Sequence, residues 1–355
     1  MYKALGRIKQ MKKKLLSLLL ASTMVLATFA GVGAASGSAP AGGDAATAEA
    51  PSNGGTTVKI ICGYGAGGTA DLVARKYAES ANNLQDKYNF VVENMTGGDG
   101  FAAATFFADE APDTKDLLVF GYGLIYRHDL GKNFQTEEVD FDRLSMRPIG
   151  TVDDRTWILY TTPGQTLAGI LEKSKTEGIK MSGGNPLSDC HLELGSLIAL
   201  EGGKVTVVSG YEGGAEQKHG LVNGEVDVFV GTTQAAKDEV EAGTLIPILA
   251  FNDRAFEGFV TPDGPISVPT VAGDAKAPEL SADIDFSSCI LPAGGTLATH
   301  AEADEAFYNE MMEIMKKVWA DENFSGWIES VMLNNFQIYG EETQKFMDDA
   351  CEKAI

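Results

Sequence analysis

The chain has 355 residues, 44% of them hydrophobic, and a formal net charge of −22. Residues 36–355 alone carry −28, because the first 35 residues hold six cations and no anion. No basic footprint for a nucleic acid is present, and the overall field repels anions, so an anionic ligand must be held by local donors.

The first predicted element is a leader. Met1–Lys14 carries Lys3, Arg7, Lys9, Lys12, Lys13 and Lys14, and the 21 residues Leu15–Ala35 are uncharged. A basic head, an apolar stretch and small residues at its end are the parts of a secretory signal. Val32-Gly33-Ala34 and Gly33-Ala34-Ala35 offer cleavage sites, and Met11 offers a second start. The same stretch is long enough to span a bilayer as an uncleaved anchor. Val32 stands where a lipoprotein signal would place its Cys. Residues 1–35 are thus read as a signal peptide, for export to the periplasm or the outer face of the cytoplasmic membrane. Residues 36–56, rich in Gly, Ala, Ser and Pro, are read as a flexible linker. The remaining 300 or so residues suffice for two lobes with their own cores.

Val58–Cys62 is a short apolar strand that breaks into Gly63-Tyr-Gly-Ala-Gly-Gly68. Ala70, Leu72, Val73, Ala74, Tyr77, Ala78 and Leu84 then recur at helical spacing. Phe90–Val92 is a second strand, broken at 94–100 and followed by a helix from Phe101 to about Asp109. Leu117–Phe120 is a third, ending in Gly121-Tyr-Gly123. Strand, glycine turn and helix, repeated, predict a mostly parallel sheet flanked by helices. Two β-like stretches, 148–152 and 157–160, precede a helix at about 166–175. Strands at 178–181, 205–208, 226–230 and 245–250 then alternate with helices at about 190–201, 214–223 and 234–242. A last strand at 288–291 leads to a helix-rich tail, 301–355, whose Phe307, Met311, Met312, Met315, Val318 and Trp319 read as core packed on the first lobe. The expected organisation is an α/β protein with lobe one formed by 57–150 plus 252–355 and lobe two by 151–251. Two crossings, near 151–160 and 245–252, would make a hinge that allows closure round a ligand.

The four cysteines, Cys62, Cys190, Cys289 and Cys351, lack metal-ligand spacing. Cys62 and Cys289 lie in apolar runs and read as buried thiols; one disulfide, of unreadable pairing, stays open. Ligands of open α/β sheets bind beyond the carboxyl ends of the strands, where these glycine turns fall. Backbone N–H groups opening a helix there suit a carboxylate.

Residues 62–75, Cys-Gly-Tyr-Gly-Ala-Gly-Gly-Thr-Ala-Asp-Leu-Val-Ala-Arg, resemble the opening motif of the substrate-binding proteins of tripartite tricarboxylate transporters. Residues 91–100, 182–191, 210–215, 223–227, 268–270 and 291–294 are similar to further motifs of that family, in order. The resemblance covers about 57–355. It implies a two-lobed, type II periplasmic-binding-protein fold and a monomeric solute-binding protein with no catalytic role, cofactor or metal. The implied ligand is a small carboxylate (a dicarboxylate, an aromatic acid or an acidic amino acid), passed to the transporter's membrane subunits. The implied site comprises Tyr64, Ala66, Gly67, Gly68, Thr69, Asp71, Thr96, Gly97, Gly98, Gly121 and Tyr122 on lobe one. On lobe two it comprises Ser182, Gly183, Gly184, Asn185, Ser188, Tyr211, Gly213, Gly214 and Ala215. Backbone N–H groups and the hydroxyls of Thr69, Thr96, Ser182 and Ser188 would take the carboxylate, and Tyr64 or Tyr211 would cover the ligand body.

Gly63, Ala66 and Gly210 replace family prolines, Glu212 a lysine and Asp99 a glycine, and Asp189 is an added acid. These extra acids argue against a highly anionic ligand such as citrate. Asp71 has a second reading, as an acid charging its helix's first turn, and His191 reads as structural. Two other classes stand beside the transport reading. One is a sensor accessory of a membrane histidine kinase. The other is a hydrolase built on Cys190-His191 beside Ser188 and Asp189, although adjacent helical residues point about 100° apart.

Overall fold

The computed structural model describes residues 54–111, 113–134, 145–184, 188–211 and 213–354. The expected signal peptide and nearly all of the expected linker lie outside them. Lobe one is built on a five-stranded sheet in the order β2-β1-β3-β12-β4, with β1 at Thr56–Cys62, β2 at Tyr88–Asn94, β3 at Leu117–Gly121, β4 at Met146–Asp154 and β12 at Gly294–His300. β1 runs parallel to β2 and β3, while β12 is antiparallel to β3 and β4. Alternation along β1 sends Val58, Ile60 and Cys62 into one core and Ile61 into the other. Both faces are covered, so the strand reads as a continuous apolar run.

Helices α1 (Thr69–Leu84), α8 (Glu305–Ala320) and α9 (Glu322–Ser330) fill the first face; α2 (Phe101–Ala108), α3 (Tyr122–Phe134) and α10 (Glu341–Ala354) fill the second. Along the tail, Phe307, Met311, Met315, Val318 and Trp319 are buried in the core that holds β1 and α1. Between α9 and α10 the chain runs along β4. Thr151 N donates to Ile338 O at 3.1 Å and Gly340 N to Ile149 O at 2.9 Å, which covers an otherwise open strand edge.

Lobe two repeats the plan. Its strands are β5 (Trp157–Thr161), β6 (Ile179–Ser182), β7 (Val205–Val208), β8 (Phe229–Thr232) and β9 (Ile246–Ala250). β6 is parallel to β7, and β5 is antiparallel to both β8 and β9. A parallel bridge from Met181 to Val228 joins the two sets. The order β7-β6-β8-β5-β9 is therefore the counterpart of β2-β1-β3-β12-β4. The intervening helices are α4 (Leu167–Thr176), α5 (Asp189–Leu200), α6 (Gly214–Val222) and α7 (Thr233–Glu241).

Three expectations are corrected. The chain does not return to lobe one near 245–252. Phe251, Val271, Ala277, Leu280, Phe286 and Cys289 are buried in the core of lobe two with Leu159, Leu194 and Leu249. A hairpin, β10 (Phe256–Thr261) with β11 (Gly264–Val268), buries Phe259 and Val268 beside Ala236 and Val240 of α7. Leu291 N still donates to Glu193 Oε1 of α5 at 2.7 Å, and the return comes only at 292–294. The strand expected at 288–291 is a 3₁₀ turn, Ser287–Cys289, followed by extended chain; the strand is β12. The turn expected at 121–123 is instead the start of α3, which follows β3 without a loop.

Trp319 shows what fixes the tail. It is 3% exposed, packs edge-on against Phe324 at 5.0 Å, and its Nε1 donates to Thr151 O at 2.8 Å. Trp319→Ala is expected to lower unfolding free energy by about 3–5 kcal/mol. Trp319→Phe, which keeps a ring but loses the donor, should cost clearly less. Urea denaturation measures both.

Candidate functional site

A cavity of about 100 Å³ lies between the lobes. Five helix N termini open onto it. From lobe one come Gly68, Thr69 and Ala70 of α1, and Gly121 and Gly123 at the start of α3. From lobe two come Ser188, Asp189, Cys190 and His191 of α5, Gly213, Gly214 and Gln217 of α6, and Thr232 and Ala235 of α7. At α1, α5 and α6 no N-cap side chain accepts a backbone N–H, although Asp189 Oδ1 takes Cys190 N within the first turn of α5; at α7 Thr232 Oγ1 accepts Ala235 N at 3.2 Å. Tyr64, Gly65, Asp99, Arg155, Trp157, Phe229, Val230 and Gly231 complete the wall.

The lobes touch across the cavity. Thr69 Oγ1 lies 2.8 Å from Thr232 Oγ1 and donates to Gln234 Oε1 at 3.0 Å. Ser188 Oγ donates to Asp99 Oδ2. Gly123 permits the approach of α3 to α5, because a Cβ there would sit 2.9 Å from Asp189 Oδ1. This is a closed arrangement.

Arg155 stands in the cavity wall with a nearly buried side chain and is held by the fully buried Asp153, to which both Nε and a terminal nitrogen donate. Burial opposes its charge, but Asp153 outweighs burial and keeps the guanidinium protonated beyond its ordinary range. Asp189, 6% exposed, receives Cys190 N at 2.9 Å. Burial pushes its pKa up to about 6, with Asp99 adding to the rise and Arg155 opposing it. The Trp157 indole also opposes it, yet Trp157 Nε1 is sealed from solvent and closes no hydrogen bond. Asp99 sits in the left-handed region at φ +57, which Asp tolerates better than most residues. Burial raises the Tyr64 hydroxyl, and that oxygen accepts Gly121 N at 3.4 Å.

Of the residues expected at the site, Tyr64, Gly68, Thr69, Gly121, Ser188, Gly213 and Gly214 line the cavity. Asn185 and Glu212 lie outside the described residues. The others are placed elsewhere. Asp71 is 1% exposed and holds the glycine turn from behind, accepting Gly67 N at 2.8 Å, Arg75 Nε at 3.0 Å and Asn94 Nδ2 at 2.8 Å. Ala66 and Gly67 are exposed on the outside of that turn. Gly97 and Gly98 line a separate surface depression with Phe101 and Phe106, and Thr96 precedes them. Tyr122 is buried against Phe346. Ser182 is fully buried and its carbonyl faces His191 Nε2 at 3.3 Å, while Gly183 lies under the His191 ring and Gly184 against Asp99. Tyr211 donates to Glu225 Oε2 at 2.7 Å and is not among the residues lining the cavity. Ala215 follows the α6 terminus without reaching the wall. Arg155 and Trp157 of the crossing, and Phe229–Gly231 of β8, were not anticipated; only Asp99 and Asp189 carried a signal, as acids out of pattern. All four cysteines are buried.

No family model matches the chain. A curated protein of Cupriavidus necator, "UPF0065 protein in gbd 5'region", is 24% identical over 219 residues, which is 60% of this chain. The match spans 63% of that relative's length. Solved structures with the same fold include periplasmic binding protein BugD, at 17% identity and a TM-score of 0.65 over 84% of this chain and 94% of that one. MatC from Rhodopseudomonas palustris with bound malate matches at 18% identity and a TM-score of 0.64, over 85% of this chain and 99% of that one. A second R. palustris protein, with adipate, matches at 18% and 0.64, over 85% and 93%. The chain has the two-lobed fold of periplasmic binding proteins. No helix among the described residues is long and apolar enough to cross a membrane.

The buried acid makes stability depend on pH. An unfolded Asp titrates near 3.8, so between about pH 4 and 6 the folded state binds the extra proton and stability falls as pH rises. Asp154, at the crossing and also pushed up to about 6 by burial, acts in the same direction. Asp189→Asn should therefore stabilise the protein at pH 8, by up to about 3 kcal/mol, and have little effect at pH 4. Urea midpoints at the two pH values check this; a difference independent of pH would refute it.

Proposed function

We propose that this protein is an exported, monomeric solute-binding protein of the tripartite tricarboxylate transporter type. It closes on a small carboxylate between its lobes and delivers it to membrane transport subunits. One observation carries the reading: five helix N termini, from both lobes, open on a single interlobe cavity. Such termini concentrate N–H donors and partial positive charge, which suits an anion in a protein whose overall charge repels one. Similar folds hold malate and adipate, both small carboxylates. A cavity of about 150 Å³ accommodates a benzene ring, so about 100 Å³ favours a compact ligand over citrate. Trp157 and Phe229, with Tyr64, supply the apolar wall for its body, a role expected of Tyr64 or Tyr211.

Catalysis has little support. Burial, with Asp189 and Asp99, pushes the Cys190 thiol well above its ordinary range, so it is a poor nucleophile at neutral pH. The similar folds are binding proteins.

A thermal-shift screen of residues 36–355 against carboxylates, amino acids, sugars and cations tests the reading. A carboxylate at 100 times its dissociation constant should stabilise by about 2.7 kcal/mol. Stabilisation by a sugar or a cation and by no carboxylate would defeat it. Gly68→Val, whose side chain enters the cavity wall where even a Cβ lies 3.2 Å from Gly65 O, should keep the fold by circular dichroism and weaken carboxylate binding at least tenfold.

A further inference from the structure

Helix α6 turns one face toward the cavity, and that face is nearly bare. Gly213 and Gly214 open the helix without side chains, and a Cβ at Gly213 would lie 3.7 Å from Gly65 N of the facing lobe. Gly220, two turns further along the same face, is covered by Tyr211, whose hydroxyl would lie 2.6 Å from a Cβ there and is itself committed to Glu225. Between them stands Gln217. It is the only side chain that α6 contributes to the cavity wall, and the only carboxamide among the described lining residues. It is 9% exposed. Its backbone N–H is used within the helix, donating to Gly213 O at 3.1 Å. Its side-chain amide makes no hydrogen bond among the described residues. Buried side-chain amides are ordinarily paired, and this one has two N–H donors and an oxygen acceptor to place. Gln217 lies two residues beyond the 210–215 motif, so that motif does not account for it.

We propose that Gln217 sets the specificity of the cavity: the ligand carries, beyond its carboxylate, a neutral group that both donates and accepts a hydrogen bond, a carboxamide or a hydroxyl. The inference rests on the carboxylate reading above and names the ligand's other end. Helix N termini offer donors only, which suits the carboxylate. Gln217 offers donor and acceptor from one planar group. A ligand carboxamide answers both at once, its N–H to Oε1 and its C=O to Nε2, and a hydroxyl does so through its O–H and its lone pairs. An ionised second carboxylate only accepts, so it leaves Oε1 unpaired, and a methyl end leaves both atoms unpaired. A site built to hydrogen-bond a ligand group rejects analogues lacking it more sharply than an apolar pocket rejects a missing methylene.

Calorimetric titration of residues 36–355 tests this with succinate, succinamate, 4-hydroxybutyrate and butyrate, and with the shorter malonate, malonamate, 3-hydroxypropionate and propionate. In at least one set the carboxamide or hydroxy acid should bind tenfold or more tighter than both the diacid and the plain acid, and the tighter of the two identifies the group. Gln217→Met, of similar length without the amide, should cut that preference about tenfold and leave the plain acid's affinity unchanged. Gln217→Glu, which keeps the acceptors and loses the donors, should lower the preference as well; circular dichroism confirms that both variants fold. Plain acids binding as tightly as the polar ones, or a diacid binding tightest, would overturn the inference and leave the carboxylate reading intact. Binding of none of these acids, while the thermal-shift screen yields another carboxylate, would do the same. A preference unchanged in both variants would overturn the assignment to Gln217. A screen in which no carboxylate stabilises the protein removes the carboxylate reading, and the inference with it.

Discussion

The Asp153–Arg155 ion pair sits where the chain passes between the lobes, and the shape of the cleft depends on it. β4 ends at Asp154 and β5 begins at Trp157, so Arg155 and Thr156 are the outward crossing. Arg155 N donates to Ala293 O at 2.9 Å, which ties the outward crossing to the return at 292–294. Gly295 has no side chain for a plain reason: a Cβ would lie 2.4 Å from Asp153 Oδ1. Removing one member of a buried pair strands the other and costs roughly 3–5 kcal/mol. Left together they are self-satisfied, so the pair gives the cleft a fixed back wall and almost no net charge.

The electrostatics of binding therefore fall to weaker, directional sources. In each lobe the central parallel strands lead into a helix, and the antiparallel strands β12 and β5, each fourth in its order, occupy the same place in the two sheets. The equivalence brings N termini of both lobes to the same gap. Their partial charges act within a turn's length, whereas the −28 of residues 36–355 acts at long range and is screened by salt. An anion is thus disfavoured on approach and favoured on arrival.

What was legible in the sequence was local. Glycine turns between an apolar run and a helical pattern marked β1–α1, β2–α2 and β7–α6, and Gly68, Thr69, Gly213 and Gly214 lie in the first and last of them. α3 was missed because Gly121, Gly123 and Gly131 resemble breakers, while in the fold Gly123 is required for the close approach of Asp189. The lobe boundary was misplaced because 252–291 has no strong periodicity; its isolated apolar residues acquire meaning only against the core of lobe two. Asp71 shares its neighbourhood with the site but points at the backbone of the turn. Arg155 and Trp157 belong to a crossing whose role depends on two chain segments some 140 residues apart, and no local pattern marks that.

The lobes meet through apolar and polar contacts alike: Leu192 of α5 is buried with Leu124 and Ile125 of α3, and Thr233 Oγ1 donates to Met332 O at 2.8 Å. Thr69 with Thr232 and Gln234, and Ser188 with Asp99, are hydroxyl-mediated bonds. In a wider arrangement of the lobes water would replace each of them, so each contributes a net of only about 0.5–1.5 kcal/mol. The total is a few kcal/mol, against the cost of bringing Asp99 and Asp189 together out of water. A ligand shifts a balance between open and closed arrangements by no more than its differential affinity for the two states. Groups contributed by both lobes are the ones that can supply the difference, because a ligand touching a single lobe binds equally well whether the cleft is open or shut. Thr69 and Asp99 on one side, and Ser188, Asp189 and Thr232 on the other, meet that condition.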